Sequence, residues 1–422
     1  MNIPVDCWQH FPPLNCNHTQ NQMHVQRNHR RWARTRFGIT FRYDRRYSHP
    51  FKLMSYNILA QTLIEKHPYL YTTHYQPYLE WPHRLQCLRN EILNIKPEIL
   101  CLQEVQESHL DDIAMALKPM NYDKPLYKQR TGIDYYDGCA IFYNPQLFKL
   151  IDHHYVEFYQ PGVKVLDRCN VAIIAKFASR RLKNIQFIVA TTHLLYNPKR
   201  DDVRTAQLQI LLAELDRMSV HTETQEPLPI ILTGDFNSLP SSEPYKLVHQ
   251  GRTNSVNLPL ELGITDDCQH MNVTIHQNRK TTALFHSDKK TNDATETVSD
   301  DVSDSTDKTA VAKTVETSGL PYNTGSLWHM LNLTPTLYNM ESNNIASTYQ
   351  NKWILVDYIF YTKYSRRTVG PVVIPQTFSS LKLLANFELP YVQNCQRMGC
   401  IPNSIYGSDH YSMASEFVLM NR

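Results

Sequence analysis

The chain has no pair of cysteines in a CxxC spacing. It has no apolar run near the roughly 20 residues that a membrane-spanning helix needs. Between Met1 and Gln20 there is no apolar centre of the kind a secretory signal carries. The first absence, with an odd total of nine cysteines, argues against a zinc ribbon and a disulfide framework and implies free thiols in a reducing compartment. The other two give no reason to expect a membrane partner. A large net charge is also missing: +3 over 422 residues does not mark the whole surface as a nucleic-acid binder. The expected location is therefore cytoplasmic, with nucleus and mitochondrion as alternatives. The opening stretch is rich in Arg and poor in acids, as mitochondrial leaders are, but Pro12, Pro13 and scarce Ser count against that reading.

The apolar share of 42% is enough to fill a core. Residues 1–50 are polar, and from Arg27 basic, with Arg30, Arg31, Arg34, Arg36, Arg42, Arg45 and Arg46 interleaved with Trp32, Phe37, Phe41 and Tyr43. We read this as a largely disordered arm able to contact RNA phosphates and bases. A globular domain is expected over 51–422. Within it, residues 276–318 are dense in Thr, Ser, Asp and Lys and carry few large apolar groups, so burial cannot offset their ordering entropy. They read as a disordered insertion in a loop, because strand-like sequence resumes afterwards.

The domain alternates strand and helix. Phe51 to Leu59 reads as a strand, Arg84 to Ile95 as an amphipathic helix, and Ile99 to Leu102 as a short buried strand. The order returns with Ile185 to Thr191, Val203 to Met218 and Ile230 to Leu232. This weak duplication predicts two similar α/β halves packed face to face, with strand ends converging on one cleft. Lys352 to Tyr361 reads as a further strand with Asp357 in its middle, and Met413 to Leu419 as the last.

Each apolar run ends in a polar string: Ser55-Tyr56-Asn57, Gln103-Glu104, Thr192-His193, Gly234-Asp235-Phe236-Asn237 and Ser408-Asp409-His410. Open α/β sheets build their sites at that edge. Carboxylates, amides and imidazoles gathered there suit metal-assisted cleavage of a phosphate ester, which needs charge neutralisation, an activated water and a stabilised leaving oxygen. Glu104 is the expected Mg²⁺ ligand, with Asp409 binding directly or through water. Asn57 would hold Glu104 or a phosphate oxygen without a charge of its own. Asp235 would orient or deprotonate the water, with Asn237 beside it. His410 would stabilise charge on phosphate, paired with Asp357. His193 would contact the scissile phosphate, and Asn170 is a further phosphate binder. Trp353 and the tyrosines Tyr69, Tyr71, Tyr75 and Tyr78 could stack on bases.

These strings resemble the endonuclease/exonuclease/phosphatase superfamily, in the branch of carbon-catabolite-repressor-type deadenylases and nocturnin, and are most similar to the angel protein family. Thr192-His193-Leu194-Leu195-Tyr196-Asn197-Pro198, Val356-Asp357-Tyr358-Ile359-Phe360-Tyr361 and Gly325-Ser326-Leu327 carry the likeness as well. The resemblance implies an α/β fold, a two-sheet, four-layer sandwich like that of deoxyribonuclease I. It also implies a Mg²⁺-dependent phosphoesterase, with Mn²⁺ as an alternative ion, acting as a monomer on RNA 3′ ends. Deadenylation by a 3′–5′ exoribonuclease is the first reading. Removal of 2′,3′-cyclic phosphates is the second, and an inactive RNA- or translation-factor-binding protein the third. Partners in mRNA decay or translation would follow. No leucine-rich periodicity precedes Phe51, so a stable place in a deadenylase complex is not implied.

Overall fold

The computed structural model describes residues 30–254 apart from 222 and 225, then 326–337, 344–363, 368–369, 372–373 and 379–421. Thirteen strands build two main sheets: Trp32–Arg34 (β1), Ser48–Asn57 (β2), Ile99–Gln106 (β3), Leu126–Gln129 (β4), Asp137–Tyr143 (β5), Phe148–Glu157 (β6), Val171–Ser179 (β7), Gln186–His193 (β8), Ile230–Asp235 (β9), Leu333–Pro335 (β10), Asp357–Thr362 (β11), Leu381–Phe387 (β12) and Met413–Met420 (β13). One sheet has the order β1-β12-β13-β2-β3-β5-β4, the other β10-β11-β9-β8-β7-β6. Each contains a single parallel pair, β2–β3 and β8–β9. The crossovers are the helices Trp81–Ile95 and Asp201–Met218, so the expected duplication is a pair of βαβ units.

Alternation along the strands explains the layering. In β2, Phe51 and Leu53 face the other sheet, while Met54 and Tyr56 face the helices Trp81–Ile95 and Leu110–Ala116. In β3, Ile99 and Cys101 go one way and Leu100 and Leu102 the other. Strands buried on both faces must be apolar throughout, which is why they read as short continuous runs. Between the sheets, Phe51, Phe148 and Phe187 form a cluster with ring centroids 5.3–5.5 Å apart. Leu208, Leu211, Leu212 and Leu215 of the second crossover helix complete the same core. The result is the expected two-sheet, four-layer α/β sandwich.

Three expectations change. First, the ordered fold starts before Phe51. The strand β1 pairs with β12, with Trp32 opposite Phe387. The Arg30 guanidinium is buried against the Phe387 ring at 4.3 Å and bonded to Glu91 at 3.1 Å. Arg31 pairs with Glu388 and Arg46 with Asp44, so part of the basic charge assigned to the arm serves the fold. Second, the run from Lys352 to Tyr361 breaks before Asp357. Ser347 Oγ accepts bonds from the Val356 and Asp357 amides, and Lys352–Ile354 turns away to pair with Thr348–Gln350. Asp357 therefore heads β11 at the cleft instead of sitting mid-strand. Third, Cys87, Cys101, Cys139, Cys169 and Cys395 are free, as expected, but Cys400 is disulfide-bonded. The segment 276–318 lies outside the described residues. Among the described residues no helix is long and apolar enough to cross a membrane.

Candidate active site

The C-terminal ends of β2, β3, β8 and β9 meet the N-terminal end of β11 at one edge of the sandwich. The pairing puts His193 and Asp357 on either side of Asp235. This needs β8 and β9 very close together. A Cβ on Gly234 would lie 2.0 Å from the Thr192 carbonyl oxygen, and Gly234 has φ 142°, so only glycine fits before the aspartate. In β3 the pairing with β5 slips between Leu102 and Val105, and Glu104 takes φ 58°. Such a bulge turns a side chain out of the strand's normal alternation. Here it brings a carboxylate into the cleft. Leu59 and Asn237 also have positive φ, so backbone strain gathers around this edge, as it does at functional sites.

Asn57 is fully buried and bridges the two sheets. Its Nδ2 donates to Glu104 Oε1 at 2.8 Å and to Asp235 Oδ2 at 3.0 Å. Glu104 Oε2 accepts from the Ala60 amide at 3.0 Å. Asp235 Oδ1 accepts from the Asn237 amide at 2.9 Å, and Asn237 Nδ2 donates to the Leu194 carbonyl. His193 lies with Nε2 3.6 Å from Asp235 and Nδ1 4.0 Å from Glu104. His410 Nδ1 is 2.9 Å from Asp357 Oδ2, and its Nε2 is 3.7 Å from Asp235. Donor atoms of Glu104, His193 and Asp235 converge closely enough to share a cation, as do those of Asp235, Asp357 and His410.

Burial, then the charge of Asp357, pushes the Asp235 carboxyl up to about 7 against the pull of His410. Burial and the neighbouring Asp409 also raise Glu104. Burial and the nearby Arg130 push His193 down to about 4, so it is neutral at pH 7. His410 goes the other way: burial opposes its charge, but Asp357, Asp235 and Asp409 outweigh that and hold it well above its ordinary value. Neutral His193 and cationic His410 thus flank one buried carboxylate.

The donor set fits a divalent cation. Its oxygens are hard ligands. Two carboxyls raised by burial and like charge are groups that a cation would return to the ionised form. His193 Nδ1 is buried without a hydrogen-bond partner and faces Glu104.

Eight of the ten residues expected from the sequence stand in or beside this cluster. Asp409 belongs to neither convergent set. It sits at the rim, held by the Tyr71 hydroxyl at 3.1 Å, where its charge still reaches Glu104. Asn170 is spent on the protein: Nδ2 donates to the His193 carbonyl and Oδ1 accepts from Gln207, both at 3.0 Å. It holds the end of β8, so the phosphate contact expected of it is replaced by positioning. Trp353 is corrected outright. It is buried, met edge-on by Tyr349 and stacked on Tyr411, whose ring centroid is 5.9 Å away, so it offers no exposed ring to a base. Among the tyrosines, Tyr69 and Tyr75 are exposed and Tyr71 is buried. Sequence reasoning missed the pair Arg130–Asp137 beside His193, and it missed Arg84. Asp137 heads an apolar strand just as Asp357 does, which was the available signal. Arg84 looked like the polar face of a helix.

The model of the Endonuclease/Exonuclease/phosphatase family matches residues 54–410. Protein angel of Drosophila melanogaster is 34% identical over 374 residues, covering 88% of this chain and 81% of the relative. Protein angel homolog 2 of Homo sapiens is 30% identical over 400 residues, covering 87% and 69%. Among solved structures, ANGEL2, described as a 2′,3′-cyclic phosphatase and bound to adenosine-2′,3′-vanadate, aligns with TM-score 0.67 at 28% identity over 92% of this chain and 98% of its own. The human nocturnin catalytic domain with a bound sulfate has the same fold, with TM-score 0.53 at 20% identity over 92% and 96%.

Proposed function

The chain belongs to the Endonuclease/Exonuclease/phosphatase family and is a metal-dependent hydrolase of phosphoester bonds; from that premise we propose that its substrate is RNA ending in a 2′,3′-cyclic phosphate. The observation that carries this reading is the alignment with ANGEL2 along nearly the whole chain. It favours the cyclic-phosphate reading over deadenylation, the first expectation, between which the motifs do not decide. The full set of carboxylates, amides and His410 in one cluster speaks against an inactive binding protein.

Glu104, with the orphaned nitrogen of His193, would hold the ion, and Asp409 would act from the rim. Mg²⁺ is the expected ion, and a site containing one imidazole also accepts Mn²⁺. When bound, the ion neutralises phosphate charge and polarises the phosphorus centre. The protein's own groups do the rest. Asp235, steadied by Asn57 and the Asn237 amide, orients the water that attacks phosphorus and takes its proton. The ring P–O bond then breaks, and the ribose oxygen leaves as a hydroxyl, taking up a proton from solvent. His410, kept cationic by Asp357, faces the charge that grows on the phosphoryl oxygens.

The test offers the purified protein two RNAs of one sequence, one with an oligoadenylate tail and one ending in a cyclic phosphate, with Mg²⁺ and with a chelator. We expect consumption of the cyclic end only, dependent on the ion. Glu104→Gln and Asp235→Asn should each lower turnover by about 10²–10³, the usual loss when one main electrostatic group is removed. Shortening of the tail with an intact cyclic end would restore the deadenylase reading.

A further inference from the structure

The helix Trp81–Ile95 carries a fully buried arginine that the chemistry above does not use. Arg84 Nη1 donates to the Ile58 carbonyl at 2.9 Å and to the Gly407 carbonyl at 3.0 Å, and Nη2 donates to the Leu59 carbonyl at 2.7 Å. Its Nε reaches the Gln61 side-chain oxygen at 3.3 Å. Among the described residues no carboxylate bonds to it directly, which is unusual, because buried guanidinium groups are normally paired with an anion. Three main-chain carbonyls instead converge on one point, and the guanidinium fills it.

Those carbonyls belong to two loops. Ile58 and Leu59 follow Asn57, which grips Glu104 and Asp235. Gly407 precedes Asp409 and His410. The same two loops are tied once more by Ser408 Oγ, which donates to the Asn57 carbonyl at 2.6 Å. They also press on the helix: a Cβ on Gly407 would lie 2.3 Å from the Arg84 carbonyl oxygen. The carboxylates nearest in effect to the guanidinium are Asp409 and Glu104. Burial lowers it only to about 10, so it stays cationic through neutral pH.

We propose that Arg84 is a positioning residue with two roles: it fixes the spacing between the Asn57–Glu104 and Asp409–His410 loops, and it is the resident counter-charge of the carboxylate cluster. The first role follows from a bond network that no other residue type can reproduce. Lysine has the charge but not the planar fork, and methionine has neither. The second role follows from where its bonds lie: Leu59 precedes Ala60, whose amide bonds Glu104, and Gly407 lies two residues before Asp409. The cation offsets their repulsion whether or not a divalent ion is present. The charge role rests on the metal reading of the site given above.

The test compares Arg84→Lys and Arg84→Met with the parent protein by steady-state kinetics and by thermal melting with and without Mg²⁺. Glu104→Gln serves as the control for the ion. Arg84→Lys should lose roughly ten- to hundredfold in kcat with little change in KM, the scale expected for slight misplacement of reacting groups. Arg84→Met should melt lower without Mg²⁺, and Mg²⁺ should raise its midpoint by more than it raises the parent's, because the uncompensated carboxylates gain more from a cation. A packing defect alone would lower both midpoints equally. Full kcat in Arg84→Lys would overturn the spacing role. Equal Mg²⁺ increments in the parent and Arg84→Met would overturn the charge role. If the parent itself ignores Mg²⁺, and Glu104→Gln behaves the same, the metal reading fails and the charge role with it, while the kinetic arm still decides the spacing role.

Discussion

At the scale of single residues, the site works by driving neighbouring groups in opposite directions. His193 and His410 both touch Asp235, yet one is neutral and the other cationic at pH 7. The difference is Asp357, bonded to one ring and not the other, together with Arg130, which opposes charge on His193. This gives a prediction with a definite sign. His410 is useful as a cation, so activity should fall as pH rises through its raised value. Asp357→Asn removes the largest of the charges that offset burial, so the value drops and the alkaline limb of the pH–rate profile should move to lower pH. An unmoved limb would separate His410 from the rate-determining charge. Trp353 shows the opposite lesson. An aromatic residue near a site string reads the same whether it faces a ligand or the core, because composition does not record which side of the chain is covered. The same limit hid Arg84, whose buried position depends on two loops far away in sequence.

At the scale of elements, legibility tracks burial. The strands β2, β3, β8 and β9 were visible because both faces are covered, and covered strands must be apolar. Their polar termini stood out for that reason, and with them most of the site. The strand β6 was not visible. It is an edge strand with Asp152, His153 and His154 exposed or half-exposed, and a register slip between Leu150 and Asp152 breaks its alternation. The bulge that aims Glu104 was hidden too, since it is a property of pairing with β5. The strand β1 was lost inside a basic segment whose charges looked solvated. Its role leads to a second prediction. Removing residues 1–29 is the reference truncation, since it spares β1 and Arg30. Removing 1–47 takes away β1 and Arg30, and leaves Glu91 without its buried cation. Loss of one partner of a buried pair costs about 3–5 kcal/mol, which is on the order of 10 °C in a chain of this size. Turnover should fall as well, because Arg30 also bonds Ser412, two residues beyond His410. Equal melting of the two truncations would return the whole segment to the status of an arm.

At the scale of the whole molecule, neither sheet holds a complete site. Asn57, Glu104 and His410 come from one sheet and its loops, and His193, Asp235 and Asp357 from the other. Their relative position is set by the packing of one sheet on the other, and the aromatic cluster of Phe51, Phe148 and Phe187 lies in that interface. Interiors are close-packed, so a hole there is only partly closed by relaxation. Phe187→Ala should therefore destabilise the fold by about 3–5 kcal/mol. It should also shift the sheets enough to disturb the bonds from Asn57 to Glu104 and Asp235, although no group in the cluster has been changed. The expected signature is a lower kcat at temperatures where the variant is still fully folded, with weaker protection by Mg²⁺ against melting. A variant of helix-facing Phe142, buried against Tyr122, provides the comparison. Phe142→Ala should cost similar stability but leave Mg²⁺ protection intact, because it opens the layer between helix and sheet instead of the layer between sheets. If both variants lose stability and Mg²⁺ protection to the same degree, the site is coupled to the fold as a whole and not to the sheet–sheet interface in particular.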